Sequence, residues 1–471
     1  MKLFSAVVFC VALVAGGTMS ASPAKPQAAR RPNIVFILAD DLGCAQVGAY
    51  GNSYYKTPNI DGLGRDGMQF TQAYSASPVC SPTRSALMTG KSPARTHVTD
   101  FIPGNTYPWA RLQQPAWQRF LPLKEVTIAE RLTEEGYVTG LIGKWHLAKA
   151  YLPPESVAEG PDRQGFAETF ITHKPVPTAD PESDAHNVGA ITTRALRFLD
   201  EHRAEPFFLL VSHNAVHAPI MAPKALVAKY PAQGNGHPED VPVMAAMMEM
   251  VDDSVGQVLA KLDALGLREN TLVIFYSDNG GLLRDAAQTP FRGGKAELHE
   301  GGVRVPLLMR WPGVIAPGRV SATMVNTMDF FPTLLELSGA RADANPQLDG
   351  ISLASLIKAG VAPARDTLYW HYPHYHPAGK GPSDSIRMGD WKLIEFFEGT
   401  LAGDGPGLEL FNLREDVGEE TNLAASQPER VAAMRARLAK WRKKVGAQLP
   451  TINPAYDEAR ADDFTPAAAA P

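Results

Sequence analysis

Cysteine is scarce, with three in 471 residues. That excludes a fold stapled by disulfides. An excess of positive charge is also missing. Lys and Arg number 45 against 50 Asp and Glu, a formal net charge of -5. Such a chain is not built to grip nucleic acid without sequence preference. Beyond the first 21 residues no apolar run is long enough to span a bilayer. With 45% hydrophobic and 20% charged residues the chain is neither disordered nor fibrous. Its length suits one large domain with a smaller one beside it.

The early apolar run, Leu3–Ala15, follows Met1-Lys2 and gives way to small residues up to Ala21-Ser22. A basic start, a short apolar stretch and a small-residue exit mark residues 1–21 as a secretory signal peptide. A secreted or periplasmic protein is expected. Cleavage removes Cys10 and leaves Cys44 and Cys80. Residues 22–31, rich in Pro and Ala, read as a flexible leader.

Ordered structure should begin at Asn33. Ile34–Ala39 is an unbroken apolar run, the pattern of a strand buried on both faces of a parallel sheet. Tyr137–Ile142, Phe207–Val211, Leu272–Tyr276 and Val305–Met309 repeat it. Between them, Thr127-Ile128-Ala129-Glu130 is a capping box that opens a helix ending at Gly136. Met244, Met248, Val251, Val255, Val258 and Leu262 form the stripe of a long amphipathic helix. The alternation predicts an α/β fold, a large mixed and mostly parallel sheet sandwiched by helices, over residues 32–345. Residues 346–450 read as a smaller C-terminal α+β domain with an antiparallel sheet. Its elements are Asp390–Phe397, Leu408–Leu413 and the helix Pro428–Val445. The cations crowding that helix suit a solvated face and a helix C-terminus. Residues 451–471 read as a loose tail.

Ligands of open α/β sheets bind beyond the carboxyl ends of the strands. Four predicted strands end in polar groups: Asp40-Asp41, Lys144-Trp145-His146, His213 to His217, and Asp278-Asn279. Asp40, Asp41, Asp278 and Asn279 offer hard oxygen donors, suited to Ca2+ or Mg2+ rather than Zn2+. Turn chemistry would use the same residues. Arg84, Lys144, His146, His217 and Lys295 could converge on one anion, the equipment of a phosphoryl- or sulfuryl-type centre. Cys80-Ser81-Pro82-Thr83-Arg84 places a cysteine where Pro82 favours a helix start. Taken alone, Cys80 could be a buried structural residue or a thiolate nucleophile.

The segment Pro78–Gly90, with Cys80-x-Pro82-x-Arg84 inside it, resembles the first signature of the type I sulfatases, formylglycine-dependent members of the alkaline phosphatase superfamily. Gly136–His146 resembles their second. The resemblance extends through Asn33–Gly43, Thr57–Asp61, Lys295–Pro306 and Asp390–Ile394, and covers roughly residues 31–425. It implies that a maturation enzyme oxidises Cys80 to formylglycine. The hydrated aldehyde then attacks sulfur, and its second hydroxyl expels sulfate. It also implies that Asp40, Asp41, Asp278, Asn279 and the matured Cys80 hold Ca2+. Arg84 and Lys144 would steady the diol, and His146 would take its proton. His217 and Lys295 would bind sulfate and assist the leaving group. Cys44 departs from the family's aromatic residue there, and a Cys44–Cys80 disulfide would abolish the chemistry. The family's pocket serine should lie around Gly165–His173, and no residue there matches it well.

Trp370–Pro377 is dense in groups that stack on sugars, and equally in groups that pack a turn between domains. His371, His374 and His376 are its candidate substrate contacts. The expected substrate is a sulfated small molecule or glycan. The rival readings are a phosphodiester or phosphonate monoester hydrolase of the same superfamily, and a non-catalytic glycan-binding relative.

Overall fold

Side chains along the first strand alternate between two cores. In β1 (Asn33–Ala39), Ile34, Phe36 and Leu38 join one hydrophobic cluster and Val35, Ile37 and Ala39 the other. A strand's side chains point to opposite faces in turn, so a strand apolar at every position demands cover on both. The computed structural model describes residues 31–149, 158–232, 241–284, 288–340, 347–403, 405 and 407–466. The expected signal peptide and nearly all of the leader lie outside them.

Seven more strands complete the large sheet: β2 (Met68–Phe70), β3 (Val138–Gly143), β4 (Glu168–Ile171), β5 (Phe207–Ser212), β6 (Thr271–Ser277), β7 (Leu307–Arg310) and β8 (Arg319–Ser321). Their spatial order is β8-β2-β7-β6-β1-β5-β3-β4. The run β6-β1-β5-β3-β4 is parallel throughout, and β7 lies antiparallel between β6 and β2. The mixed, mostly parallel sheet expected from the alternation is present.

Helix α1 (Cys80–Thr89) follows β2 in the chain. Helix α2 (Ile128–Glu134) starts at the expected box. Thr127 Oγ1 accepts from Glu130 N, and Thr127 N donates to Glu130 Oε2 at 2.7 Å. Helices α3 (Val188–Glu201) and α4 (Val241–Ala264) cover the face of Val35 and Ile37. Helix α5 (Phe330–Ser338) and α2 cover the face of Phe36. The methionines Met244, Met247 and Met248 are buried in that first cover, as core filler. No helix among the described residues is long and apolar enough to cross a membrane.

A four-stranded antiparallel sheet, β9 (Thr367–Tyr372), β10 (Ser383–Met388), β11 (Trp391–Phe396) and β12 (Leu408–Asn412), forms the C-terminal part. Helix α6 (Pro428–Val445) covers one face through Val431, Met434 and Leu438. The other face packs on Tyr74, Val79 and Val303. Through that face the small sheet packs closely against the large-sheet part of the chain.

Two expectations need correcting here. Residues 451–466 are no loose tail. Thr451–Ile452 pairs with Leu112–Gln113, and Thr465–Pro466 with Asn105–Thr106. Nor is the basic face of α6 wholly solvated. Arg442 reaches the buried Asp384, and Arg435 and Arg442 both bind Glu395.

Candidate active site

All the polar strand ends meet at one edge of the sheet. Asp40 and Asp41 follow β1, Lys144 and His146 follow β3, His217 follows β5, and Asp278 and Asn279 follow β6. Parallel strands present their carboxyl ends together, so residues distant in sequence converge. Gly143 makes one of these turns possible. It has φ 117°, and a Cβ there would fall 1.8 Å from Ser212 O. Asp41 and His146 are non-glycine residues at φ 61° and 59°. Such left-handed positions cost about 1–3 kcal/mol each and persist where the surroundings over-determine them.

Cys80 opens α1, and its Sγ lies 3.3 Å from Asp40 Oδ1, 3.7 Å from Asp41 Oδ1 and 3.7 Å from Lys295 Nζ. Each carboxylate is gripped on its outer oxygen by one cation. Lys144 Nζ donates to Asp40 Oδ2 at 2.6 Å, Lys295 Nζ to Asp41 Oδ2 at 2.7 Å, and Arg84 Nε to Asp278 Oδ2 at 2.8 Å. Arg84 is fixed further by Ser212 Oγ and Lys144 O. The ligand atoms of Asp40, Asp41, Cys80 and Asp278 all lie within 4.8 Å of one another.

The electrostatics of this cluster are unbalanced in an informative way. Burial, then repulsion by Asp40, pushes Asp278 up to about 7. Burial opposes ionisation of Asp40 as well, but Lys144, His217, Arg84 and Lys295 overcome it and hold its carboxyl well below the usual range. Asn279 Oδ1 is buried with no hydrogen-bond partner, while its Nδ2 donates to Asp41 Oδ1 at 2.8 Å. Crowded carboxylates beside an orphaned amide oxygen, all hard donors, fit a Ca2+ or Mg2+ ion. Burial, then Asp40, drives the Cys80 thiol well above its ordinary pKa. A thiol held protonated is a poor nucleophile, which counts against the thiolate reading.

The histidines divide by orientation. His217 donates from Nδ1 to Ala218 O, and its Nε2 accepts from Lys295 Nζ at 3.1 Å. Burial, then Lys295, push His217 down to about 3, so it is neutral. His213 turns away, within 3.3 Å of Ser254 Oγ on α4. His146 donates from Nε2 to Ile102 O at 2.6 Å, which leaves Nδ1 as its basic atom. Burial and then Lys144 hold it neutral. Cys44 is a free buried thiol, pushed up by burial to about 12, and Cys80 is free as well.

Over this cluster lies a cavity of about 770 Å3, lined by Cys80, His146, His217 and Lys295. His376 is in its wall, and Ala378 N donates to its Nδ1 at 3.0 Å, so Nε2 carries the proton. The other two histidines of that segment do not line it. His371 is buried against Asp384 Oδ1 at 2.7 Å, and His374 against Thr99 Oγ1 at 2.8 Å. Both follow the packing alternative for the aromatic turn, buried away from the lining of this cavity.

Residues 32–340 match the family model Sulfatase, and residues 294–444 match N-sulphoglucosamine sulphohydrolase, C-terminal. The chain belongs to the sulfatase family. It is 33% identical to Arylsulfatase A of Homo sapiens, over 86% of this chain and 87% of that one. It is 31% identical to a Sulfatase of Formosa agariphila, over 91% and 90%. The crystal structure of Ps i-CgsB in complex with k-i-k-neocarrahexaose superposes with a TM-score of 0.74 at 28% identity, covering 91% of this chain and 95% of that one. This sulfatase is therefore a sulfuric ester hydrolase of the alkaline phosphatase superfamily fold.

Among the parts of the cavity wall that sequence reasoning missed are Phe101-Ile102-Pro103, Lys174 and Arg284. The first had no signal in the chain. Lys174 had one, because it follows a fifth parallel strand, β4. That strand is four residues long and half-exposed, so no apolar run announced it.

Proposed function

We propose that this sulfatase is exported and hydrolyses sulfate monoesters on carbohydrates, with formylglycine matured from Cys80 and with Ca2+ in the carboxylate cage. One observation carries the reading. Cys80 Sγ lies 3.3 Å from Asp40 and 3.7 Å from Lys295, among the inner carboxylate oxygens and in the wall of the cavity that Lys295 also lines. A structural cysteine has no need of such neighbours. When present, the hydrated aldehyde supplies a hydroxyl nucleophile, and Ca2+ held by Asp40, Asp41, Asp278 and Asn279 supplies positive charge for sulfate oxygens.

The chain's own residues do the rest. Arg84 and Lys144 fix the outer oxygens of Asp278 and Asp40, so the inner ones need not reorganise. His146 takes a proton at Nδ1, because Nε2 is committed to Ile102 O. Lys295 bears protons toward the cavity and shares one with neutral His217, which suits both binding sulfate and protonating the leaving oxygen. His376 Nε2–H faces the leaving-group side as a donor to a sugar hydroxyl.

The carbohydrate reading is supported by the fold's likeness to Ps i-CgsB, whose complex holds k-i-k-neocarrahexaose, and by a cavity whose largely apolar wall carries a few hydrogen-bonding groups, Lys174, Arg284 and His376 among them. Export is supported by the basic-then-apolar start of the chain. Peptide mass spectrometry of protein from a maturation-competent host, paired with turnover of 4-nitrophenyl sulfate, tests the core claim. A fully active preparation with an unmodified thiol at Cys80 would overturn it. Faster turnover of the matching phosphodiester or phosphonate ester would favour the superfamily rival instead.

A further inference from the structure

Five parallel strands deliver their carboxyl ends to the site edge, and four of them carry the machinery described above. The fifth is β4, beside β3. It is followed by Thr172-His173-Lys174. That segment is pinned to the catalytic strands. Thr172 N donates to Gly143 O at 3.1 Å, and Thr172 Oγ1 accepts from Asn214 Nδ2 at 2.7 Å. Asn187 Nδ2 donates to His173 O at 3.1 Å. Lys174 thus leaves a backbone as well anchored as that of Lys144.

Lys174 lines the same cavity as Cys80 and Lys295, and Arg284 lines it from the loop after β6. The cations differ in depth and in partners. Lys144 and Lys295 are 4% and 7% exposed, and each grips a carboxylate. Lys174 is exposed and, among the described residues, makes no ion pair or hydrogen bond. Its surroundings do not welcome a bare charge. The wall around the ammonium, then Lys144 and Lys295, hold its pKa below the ordinary lysine value. An unpaired cation, placed on a rigid backbone beside two others, is a vacant half of an ion pair. The reacting sulfate is already served at the floor by Lys295 and His217. An anion for Lys174 must sit nearer the mouth, where the leaving group lies.

We propose that Lys174 binds a second anionic substituent, a sulfate or a carboxylate, on the sugar leaving group, so that the substrates are carbohydrates with at least two anions. This rests on the sulfated-carbohydrate reading and narrows it. Specificity of this kind is a difference of affinities between ligands with and without the second anion.

The test is competition against 4-nitrophenyl sulfate hydrolysis by the matured enzyme. The probes are galactose and glucosamine monosulfates, the matching disulfates, and sulfated disaccharides that carry a uronic acid. In the wild type at least one dianionic probe should inhibit roughly tenfold more tightly than its monoanionic counterpart at low salt, and the ratio should shrink as salt rises. Lys174→Gln should abolish most of that ratio, and Lys174→Arg should keep it. The disulfate and uronate arms identify which anion is read. A ratio that is equal in wild type and Lys174→Gln, or that is near one for every probe in the wild type, overturns the inference while 4-nitrophenyl sulfate turnover still supports the sulfatase chemistry. Failure of the matured wild type to cleave any sulfate ester would instead defeat the functional reading, and the inference with it.

Discussion

At the carboxyl edge of the large sheet Asp278 is driven up to about 7, by burial and then by Asp40. At the seam with the small sheet Glu300 is held down to about 2, because Lys392 and Arg304 outweigh its burial. Both are fully buried acids in clusters of alternating charge. The seam is closed. Glu300 takes Lys392 Nζ at 2.9 Å, Tyr74 Oη at 2.7 Å and Arg304 at 3.2 Å, and Lys392 also reaches Glu419 at 3.1 Å. The edge is open. Its cations hold the outer carboxylate oxygens, the inner ones face each other, Asn279 Oδ1 has no partner, and a cavity lies above. Buried charge alone therefore does not mark a functional site. Charge left incomplete next to open space does.

The comparison can be broken most sharply at Cys80. Cys80→Ala should cost on the order of 10^4-fold or more in kcat/KM, as loss of a nucleophile does elsewhere. Activity within tenfold of wild type, in an assay of sulfate release, would place the chemistry elsewhere. Next comes Asp278→Ala. It should lose metal by elemental analysis and roughly 10^3-fold in turnover with the fold kept, since the loss of Arg84's partner is offset in part by relief of the repulsion between Asp278 and Asp40. Wild-type turnover of this variant in chelator would end the metal assignment.

The proton roles give a smaller and more specific signature. His146→Ala should lose about 10^2–10^4-fold. It should let a covalently sulfated enzyme accumulate in single-turnover experiments read by intact mass. Lys144→Ala should slow formation of that species instead. Equal losses with no trapped species would reduce both residues to scaffolding.

The seam supplies the contrasting case. Lys392→Met should cost roughly 3–5 kcal/mol of stability by leaving the buried Glu419 without its cation and Glu300 with Arg304 alone, with kcat near that of the wild type. The pH dependence has a defined sign. Glu300 has its folded pKa depressed, so its contribution is complete above its ordinary value near 4.5 and is lost as pH falls toward about 2. Acid titration of stability should show that loss in the wild type and not in Glu300→Gln. A large fall in kcat for Lys392→Met at unchanged melting temperature would erase the distinction between the two clusters.

Much of the open edge is legible in the sequence. Long apolar runs announced β1, β3, β5 and β6, because burial on both faces leaves few polar positions. The four residues after each run were enough to name Asp40, Asp41, Lys144, His146, Asp278 and Asn279. The seam was not legible. Glu300, Lys392 and Glu419 lie on three elements whose meeting depends on tertiary packing, and singly each looks like a surface charge. The segment Trp370–Pro377 misled for a related reason. Its histidines have one composition and two fates: β9 carries His371 inward to Asp384, while the chain beyond turns His376 to the cavity. The pairing of residues 451–466 had no local signature either, since two-residue strands carry no period.

That last pairing has a consequence for the order of events at the ribosome. Phe101-Ile102-Pro103 form cavity wall, and Ile102 O holds the ring of His146. The chain that continues from them, Asn105 to Gln113, is paired by residues between 451 and 466, and Asn453 Nδ2 reaches back 343 residues to Ala110 O at 2.7 Å. Synthesis runs at about 5–20 residues per second, and contacts this distant close last. The sheet edge that bears the carboxylates can assemble while the chain is still growing. The wall beside His146 is braced only once residues 451–466 have been made, so the cavity is a late product of folding.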